Sequence, residues 1–481
     1  MSVKMVIGAL ALSGACGLAG GACAAEGADG RVVRAGWFEQ VVSSPVGSGI
    51  AGYSGTDVAK AKLDDLVLSG LCIDDGKSKM LVMSFDLLFL DLDTIMRYRR
   101  HAAKELGMKV ESVLISCTHT HSGPHTRAYA KGGGLEGEYV LPDDENHIDV
   151  KYVKWLDETV EKAISDFAAK PGWRDCVVGF YSSMCDENRN RRFTTPDNCA
   201  SFIAHRRRLH DIATGIADKE LGTIALLDPK TFEPLYVVGN YAAHPLASHA
   251  PGLGGLRISS DFPGFYRRYI ESETGAKAMF VQGAAGDLVP KDDELGVAAS
   301  RRVGENLAMA SIAAIIDIQR NSERFVLAKP RIASSARSFV SPVRRACRKA
   351  LNKDRVTVNV QCVSIGDVAF VGLPDEPVCE LGLEIKWHSP FRRTFIAYGA
   401  LGTNAYISPE NFMAAGGYEA QGQVFASRDT LKLVEAARDA LFEARNAAFP
   451  EENDDGDGYP DNQNLPLVNL PGGVKGSKWQ H

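Results

Sequence analysis

The sequence has no excess of positive charge. It contains 54 Lys and Arg against 60 Asp and Glu, and its formal net charge is −6. A protein that binds nucleic acid through the phosphates needs a concentrated basic face, and this balance gives no sign of one. We therefore expect no nucleic-acid partner.

Long apolar runs are also missing after the first 25 residues. A membrane-spanning helix needs about 18 or more consecutive apolar residues, and no later stretch of the sequence approaches that length. Disorder and collagen-like repeats are excluded as well, because 45% of the residues are hydrophobic and 24% are charged. The expectation is a globular chain without a membrane span after its N-terminal segment.

A CxxC pair is absent, so a zinc site built from thiolates is not expected. Ten cysteines are present. Cys185 and Cys199 bracket a polar loop and form the favoured disulfide if the protein is exported. The alternative is that most cysteines are small buried hydrophobic residues. We favour this for Cys72, Cys117 and Cys362, because they lie in apolar, strand-like runs.

The first 25 residues have the features of a signal peptide. Lys4 gives a short positive segment, Met5 to Gly21 is an apolar and small-residue run, and Ala22 to Ala25 supply a cleavage site. Cleavage just before Glu26 would place the mature protein in the periplasm or outside the cell. Lipoprotein processing at one of the two cysteines in this segment is the alternative.

Between residues 26 and 450 the pattern predicts a single large α/β domain with a mixed sheet. Val113 to Cys117 is predicted as a buried strand, and Leu90 to Leu106 as a helix that ends at Gly107. Alternating strands and helices are typical of an α/β layer, in which functional loops follow strand ends. The pattern also predicts a strand at Phe395 to Ala400, and helices at Val150 to Ala169, Val297 to Ile316, Pro377 to Trp387 and Arg428 to Ala447.

Residues 451–481 are predicted to form an acidic tail with a Pro/Gly-rich end. Oxygen-bearing side chains fall at positions 1, 3, 5, 9 and 12 of a twelve-residue frame, with Gly458 at position 6. These residues are Asn453, Asp455, Asp457, Asp461 and Asn464. A calcium loop needs such ligands around a turn-forming glycine, although this frame lacks the usual Glu at position 12. A solvated acidic linker is the alternative to a bound Ca²⁺.

The segment from Thr118 to His125 has the highest density of potential metal-binding or catalytic side chains. It reads THTHSGPH and holds three of the 11 histidines. It follows the predicted strand, and His119 and His121 alternate, so an extended backbone would place both imidazoles on one side. His244 ends another apolar strand and would supply a second imidazole to a metal ion. The alternative is a polar turn in which the imidazoles only form structural hydrogen bonds.

Four motifs, in their order, resemble the neutral/alkaline (non-lysosomal) ceramidase family. They are the THTHSGP loop, the step His244-Pro245, the segment Ser260 to Gly264 (SDFPG) and the segment Gln282 to Asp287 (QGAAGD). The resemblance extends over roughly residues 32 to 425 and concerns the N-terminal catalytic domain of that family.

In the family that this chain resembles, one zinc ion is held by two His, a Glu and a Tyr. The resemblance implies His119 and His244 as the histidine ligands. It implies Glu376, in an LPDE turn, as the carboxylate ligand and Tyr406, in an AYI step, as the phenol ligand. Ligation by two His and a Glu leaves room for water or substrate, as a hydrolytic zinc requires.

Three further residues acquire catalytic roles from the resemblance. His121 would be the general base that takes a proton from the zinc-bound water. Arg189, in an Asn-Arg step, and Tyr418, in a Tyr-Glu step, would stabilise the oxyanion that develops at the substrate carbonyl. For Arg189 the alternative is membership of a solvated basic loop with Arg191 and Arg192.

The chain departs from the family pattern at three places. Val289 stands where the family has a serine, so a covalent serine route is excluded at this position, whereas a zinc–water route is untouched. Asp375 replaces a glycine of the family's turn. The sequence also ends before the C-terminal immunoglobulin-like domain of the well-known ceramidases, so a catalytic domain without that addition is expected.

These features predict an exported zinc-dependent amidohydrolase that acts on a lipid or another small molecule. The expected reaction is hydrolysis of the N-acyl amide of a ceramide or sphingolipid-like substrate by a zinc-activated water. Peripheral membrane contact would accompany a lipid substrate. The alternatives are an exported deacylase of another amide or ester, such as an N-acetylated glycan, and a non-catalytic binding protein.

Overall fold

A computed structural model describes residues 30–52, 58–126, 150–194, 200–202, 215–248, 256–291, 296–402 and 406–452. Three predictions from the sequence lie outside these residues. They are the signal peptide, the calcium loop at residues 453–464 and the disulfide that involves Cys199.

The described residues form twenty β-strands and ten α-helices. The strands are β1 (Val32–Val41), β2 (Ala61–Lys62), β3 (Val67–Asp74), β4 (Lys79–Phe85), β5 (Val113–Cys117), β6 (Arg174–Met184), β7 (Asn188–Asn190), β8 (Arg192–Thr194), β9 (Ala200–Phe202), β10 (Glu220–Leu227), β11 (Pro234–Tyr241), β12 (Arg257–Ile258), β13 (Lys277–Gln282), β14 (Leu288–Pro290), β15 (Ile332–Pro342), β16 (Arg355–Ile365), β17 (Val368–Gly372), β18 (Glu376–Pro377), β19 (Arg393–Ala397) and β20 (Tyr406–Ile407). The helices are α1 (Leu92–Leu106), α2 (Val150–Ala169), α3 (Asp261–Thr274), α4 (Val297–Arg320), α5 (Ser322–Phe325), α6 (Arg345–Leu351), α7 (Cys379–Trp387), α8 (Glu410–Ala415), α9 (Tyr418–Gln421) and α10 (Thr430–Ala448).

The larger sheet has eight strands in the order β13-β11-β10-β6-β1-β3-β4-β5. Its two outer pairs are parallel and its inner pairs are antiparallel. The Ser84 hydroxyl of β4 donates to the Phe280 carbonyl of β13 over 2.6 Å, so the two ends of the sheet approach each other. The loops that follow β5 and β11 are thereby brought together.

A second sheet, with four strands in the order β15-β16-β17-β19, meets the larger sheet at this same place. The Ser116 hydroxyl of β5 donates to the Tyr398 carbonyl, which follows β19, over 2.9 Å. The Asn240 side chain of β11 donates to the Ile396 carbonyl of β19, also over 2.9 Å. The carboxyl ends of β5, β11 and β19 are therefore joined by buried polar contacts.

Helices cover both sheets with their apolar faces. Helices α3 and α4 pack against the larger sheet through residues such as Phe262 and Leu307, and α10 packs against the second sheet through Leu433 and Leu441. Burial of this much apolar surface is the main contribution to stability. Among the described residues, no helix has the length and hydropathy that a membrane span requires.

The predicted α/β domain with a mixed sheet is confirmed, and several boundaries match closely. Helix α1 begins after Asp91, whose carboxylate accepts from the Thr94 N–H, and it ends at Gly107, whose φ of 62° suits a glycine. The helix predicted from Pro377 begins at Cys379 instead, and the strand predicted to reach Ala400 ends at Ala397.

The described cysteines support the prediction that most cysteines are small buried hydrophobic residues. Cys72, Cys117 and Cys362 lie in β3, β5 and β16, are fully buried and form no disulfide with another described cysteine. Burial raises the pKa of the Cys72 thiol to about 12, so it stays protonated at neutral pH.

Candidate metal centre

Two predicted ligands, His119 and His244, lie side by side after the ends of β5 and β11. Both are buried, and their ring centroids are 4.9 Å apart. The backbone does not continue as a strand, because His119 has a φ of 66°. The reasoning from strand alternation was therefore wrong, yet the His121 ring still lies 5.0 Å from the His119 ring.

Main-chain carbonyls fix the orientation of both rings. His119 Nδ1 lies 2.8 Å from the Leu88 carbonyl oxygen, and His244 Nδ1 lies 3.0 Å from the Leu288 carbonyl oxygen. A carbonyl can only accept, so each Nδ1 carries the proton and each Nε2 presents a lone pair. Metal-binding histidines are commonly oriented in this way.

The Glu376 carboxylate lies where the two lone pairs point. Its Oε2 is 3.5 Å from the Nε2 of His119 and 3.5 Å from the Nε2 of His244, longer than an ordinary hydrogen bond. Within the described part of the chain, neither Glu376 Oε2 nor His244 Nε2 has a hydrogen-bond partner. Buried polar atoms seldom lack partners, and a cation among these three atoms would satisfy them.

The electrostatics of Glu376 agree with a cation-binding role. Burial by itself would raise the pKa of this carboxyl, but His119 and His244 together hold the pKa well below its ordinary value. Glu376 is therefore a carboxylate at neutral pH and can bind a metal.

His121 is a third imidazole in the same space. One ring nitrogen from each of His119, His121 and His244 lies within 4.8 Å of the others, so the three could hold one ion. Burial, and then the charge of the neighbouring imidazoles, lowers the pKa of His121 well below its ordinary value. A Cβ at Gly52 would come within 2.4 Å of His121 Nδ1, so the backbone at Gly52 fits closely against this ring.

Tyr406 and Glu376, thirty residues apart in sequence, are directly paired in space. Strand β18 pairs with β20 in parallel, and the register places Glu376 opposite Tyr406. Tyr406 is buried, and burial raises the pKa of its phenol well above the ordinary value. All four predicted zinc ligands are thus brought to one region.

Asp375 occupies the position where the resembled family has a glycine, and the backbone conformation at this position suits either residue type. Its φ is 55°, in the left-handed region that glycine adopts freely and aspartate tolerates better than most residues. A Cβ at Gly402 would lie 2.0 Å from the Asp375 nitrogen, so the facing segment must carry a glycine here.

Arg191, Arg192 and Glu419 form a buried ionic cluster, hereafter the Arg191 clamp. Arg191 Nε donates to Glu419 Oε1 over 2.8 Å, and Arg192 Nη1 donates to Glu419 Oε2 over 2.6 Å. Arg191 and Arg192 are only 4% and 6% exposed. The alternative interpretation of this segment as a solvated basic loop is therefore wrong for these two residues.

The Arg191 clamp reaches both tyrosines of the predicted site. Arg191 Nη2 donates to the Tyr406 hydroxyl over 3.1 Å and to the Gly286 carbonyl over 2.7 Å. Its guanidinium lies 5.6 Å from the centre of the Tyr406 ring and 5.4 Å from that of Tyr418. The two tyrosine rings are 5.2 Å apart, and Tyr418 is the first residue of α9.

Arg189 lies in β7, opposite Val289 of β14. Directly opposed residues of an antiparallel pair point to the same face, so the predicted oxyanion group faces the residue that replaces the family's serine. Arg191 contacts both Tyr406 and Tyr418. The catalytic role of Arg189 stays a prediction.

The SDFPG motif has a supporting role near His244. The Asp261 carboxylate accepts from the Ser248 N–H over 2.6 Å and from the Ser300 hydroxyl over 2.9 Å. The loop that begins at His244 is thereby tied to α3 and α4. Burial raises the pKa of Asp261 to about 6.

Three residues of the centre were missed by the sequence reasoning. They are Arg191, Glu419 and Tyr398, whose hydroxyl lies 3.1 Å from His119 Nε2. The sequence offered a clue to two of them. Glu419 is the second residue of the Tyr-Glu step, and Tyr398 lies in the predicted strand that precedes the predicted ligand Tyr406. Nothing local distinguished Arg191 from its neighbours.

No protein-family model matches the sequence, and no curated protein matches it. The fold is similar to the crystal structure of neutral ceramidase from Pseudomonas aeruginosa, with a TM-score of 0.67 and 15% identity over 87% of this chain and 75% of that chain. It is also similar to a ceramidase complexed with C2, with a TM-score of 0.67 and 14% identity over 86% of this chain and 75% of that chain. The predicted resemblance to neutral ceramidases is thus confirmed at the level of the fold.

Proposed function

We propose that the protein is a zinc-dependent amidohydrolase that cleaves the N-acyl amide of a ceramide or similar sphingolipid. The observation that carries the proposal is the convergence of His119 Nε2, His244 Nε2 and Glu376 Oε2, with 3.5 Å between the carboxylate oxygen and each nitrogen. Two imidazoles and a carboxylate are a common ligand set for hydrolytic zinc. The ceramidase fold supports the choice of reaction and substrate.

In this proposal His119, His244, Glu376 and Tyr406 hold one zinc ion. When bound, zinc supplies Lewis acidity toward a carbonyl and makes water acidic enough to react at neutral pH. The carbonyls of Leu88 and Leu288 keep the two imidazoles aimed at the ion.

His121 acts as the general base, because it is buried beside the ligands and neutral at neutral pH. Arg189 and Tyr418 orient the substrate carbonyl and stabilise the negative charge that develops on it. Val289 contributes no nucleophile, because its side chain has no group that can attack.

The proposal also includes export, which rests on the sequence of residues 1–25. Fractionation of cells that make the full chain, with N-terminal sequencing of the mature protein, tests it. A mature chain that begins at Glu26 is expected, and a cytoplasmic protein that retains Met1 would contradict export.

A release assay on the purified protein tests the activity. Ceramides with short and long acyl chains are compared with N-acetylated sugars and simple esters, each with and without a chelator. We expect acyl release from ceramide that stops on chelation and returns with added zinc. Turnover that is unaffected by chelation would contradict the metal mechanism, and release from the sugars or esters alone would contradict the substrate class.

A further inference from the structure

Tyr398 lies on the Nε2 side of His119, and Nε2 is the nitrogen that would bind the metal. The Tyr398 hydroxyl is 3.1 Å from His119 Nε2, and the two ring centroids are 4.7 Å apart. Since His119 Nδ1 carries the proton that meets the Leu88 carbonyl, Nε2 has a lone pair, and the Tyr398 hydroxyl is the donor.

The backbone at Tyr398 is fixed at both its polar groups. Its N–H donates to the Gln282 carbonyl over 3.0 Å, and its carbonyl accepts from the Ser116 hydroxyl over 2.9 Å. The side chain is only 1% exposed. Tyr398 and Glu376 also line the same small pocket, together with His119, Phe89 and Gly402. The phenol is therefore held in the space where the ligand atoms converge.

An imidazole nitrogen has a single lone pair, which cannot serve a metal and a phenol at the same time. When a metal takes the lone pair of His119 Nε2, the Tyr398 hydroxyl loses this acceptor but stays in the same space. A substrate oxygen drawn to the metal would enter the pocket that Tyr398 shares with His119 and Glu376, and it would offer the hydroxyl an acceptor.

We propose that Tyr398 is a further catalytic residue, whose hydroxyl donates a hydrogen bond to the substrate oxygen that is drawn to the metal. This inference rests on the proposed metal centre. A rigidly held hydrogen-bond donor that points at a developing negative charge stabilises the transition state. The hydroxyl is held in place before the substrate arrives, so little reorganisation is needed.

Tyr398→Phe tests the assignment, because it removes the hydroxyl and keeps the ring packed against His119. Tyr266→Phe is the matched control: Tyr266 is also fully buried, and its hydroxyl bonds to Ser311 at 2.9 Å inside the core. The first readout is zinc affinity, measured by competition with a chromogenic chelator. The second is the affinity of the zinc-loaded protein for acetohydroxamate, which binds a catalytic metal through oxygen and requires no knowledge of the substrate.

We expect Tyr398→Phe to bind zinc no more weakly than the wild type and to bind acetohydroxamate about tenfold more weakly or worse, the scale of a hydrogen bond to a charged oxygen. In the ceramide assay, kcat should fall by about 100-fold while KM changes little. Tyr266→Phe should match the wild type in both affinities.

Equal acetohydroxamate affinities in Tyr398→Phe and wild type would overturn this assignment alone. Loss of zinc from Tyr398→Phe would overturn it as well, since the phenol would then be a ligand. A wild-type protein that binds no zinc would overturn the proposed function together with this inference.

Discussion

His119 and His244 are oriented by carbonyl groups of the main chain, whereas Tyr406 and Tyr418 are contacted by the side chain of Arg191. We refer to the first pair with its loops as the histidine side of the centre, and to the second pair with the Arg191 clamp as the tyrosine side. No single side-chain substitution can delete the carbonyls that orient the histidine side. The tyrosine side depends on a few charged side chains and should be the more sensitive to mutation.

Glu419→Gln should have the largest effect on stability. It leaves the buried cations of Arg191 and Arg192 without their shared carboxylate. Loss of one partner from a buried ion pair costs about 3–5 kcal/mol, and urea unfolding at pH 7 measures it. Asp166→Asn is the control, because the Lys162–Asp166 pair is exposed and should contribute less than about 0.5 kcal/mol. A loss below about 1 kcal/mol in Glu419→Gln would contradict the role of the clamp.

The pH dependence of stability probes the histidine side through Asp261. Burial raises the pKa of this carboxyl from 3.8 to about 6, so the folded protein retains the proton at a higher pH than the unfolded chain does. Its contribution to stability must therefore fall as the pH rises from about 4 to about 6, by about 3 kcal/mol.

Asp261→Asn removes this titration and keeps a residue that tolerates the φ of 55°. The unfolding free energy of the wild type minus that of the variant should decrease between pH 4 and pH 7. A difference that stays constant over this range would contradict the raised pKa.

Arg191→Lys should weaken metal binding by about 10- to 100-fold, the usual range for the loss of a residue that orients a ligand. A lysine cannot reach Glu419, the Gly286 carbonyl and the Tyr406 hydroxyl at once, because it lacks the planar fork of arginine. Arg192→Lys is the matched control, since Arg192 bonds to Glu419 and Gly416 and donates no hydrogen bond to Tyr406 among the described contacts. Equal zinc affinities in the two variants, by chelator competition, would refute the specific role of Arg191.

Val289→Ser should have the smallest effect on catalysis. The neighbouring Leu288 orients His244 through its main chain, which a side-chain change at Val289 leaves in place. We expect turnover within about threefold of the wild type, far below the effect of removing a catalytic group. A large gain in turnover would show that a serine at this position is part of the chemistry.

The histidine side could be predicted from the sequence because its signals are local. A buried strand at Val113–Cys117 followed by a histidine-rich turn is visible within a dozen residues, and the helix before it ends at a glycine. His244 at the end of β11 follows the same rule. Strand ends next to polar residues are features that a short window of sequence reveals.

The Arg191 clamp could not be predicted, because Arg191 and Glu419 are separated by 228 positions in the chain. Burial of three neighbouring charges is rare, and only the contact of Arg191 and Arg192, which follow β7, with Glu419 of α9 makes it favourable. Strand β15 was missed for a different, local reason. Its sequence, IASSARSFVSP, is rich in small and polar residues and lacks a clear alternation of apolar and polar residues. Its middle residues, from Ala336 to Val340, are exposed or half-buried.

The most direct test of the metal centre is the zinc content of purified His119→Ala and His121→Ala, measured beside their turnover. In the proposed mechanism His119 is a zinc ligand and His121 transfers the proton. His119→Ala should lose both zinc and activity. His121→Ala should retain about one zinc per chain while its turnover falls by about 100-fold or more. If His121→Ala loses its zinc as completely as His119→Ala, the three histidines hold the ion together and the assigned division of roles is wrong.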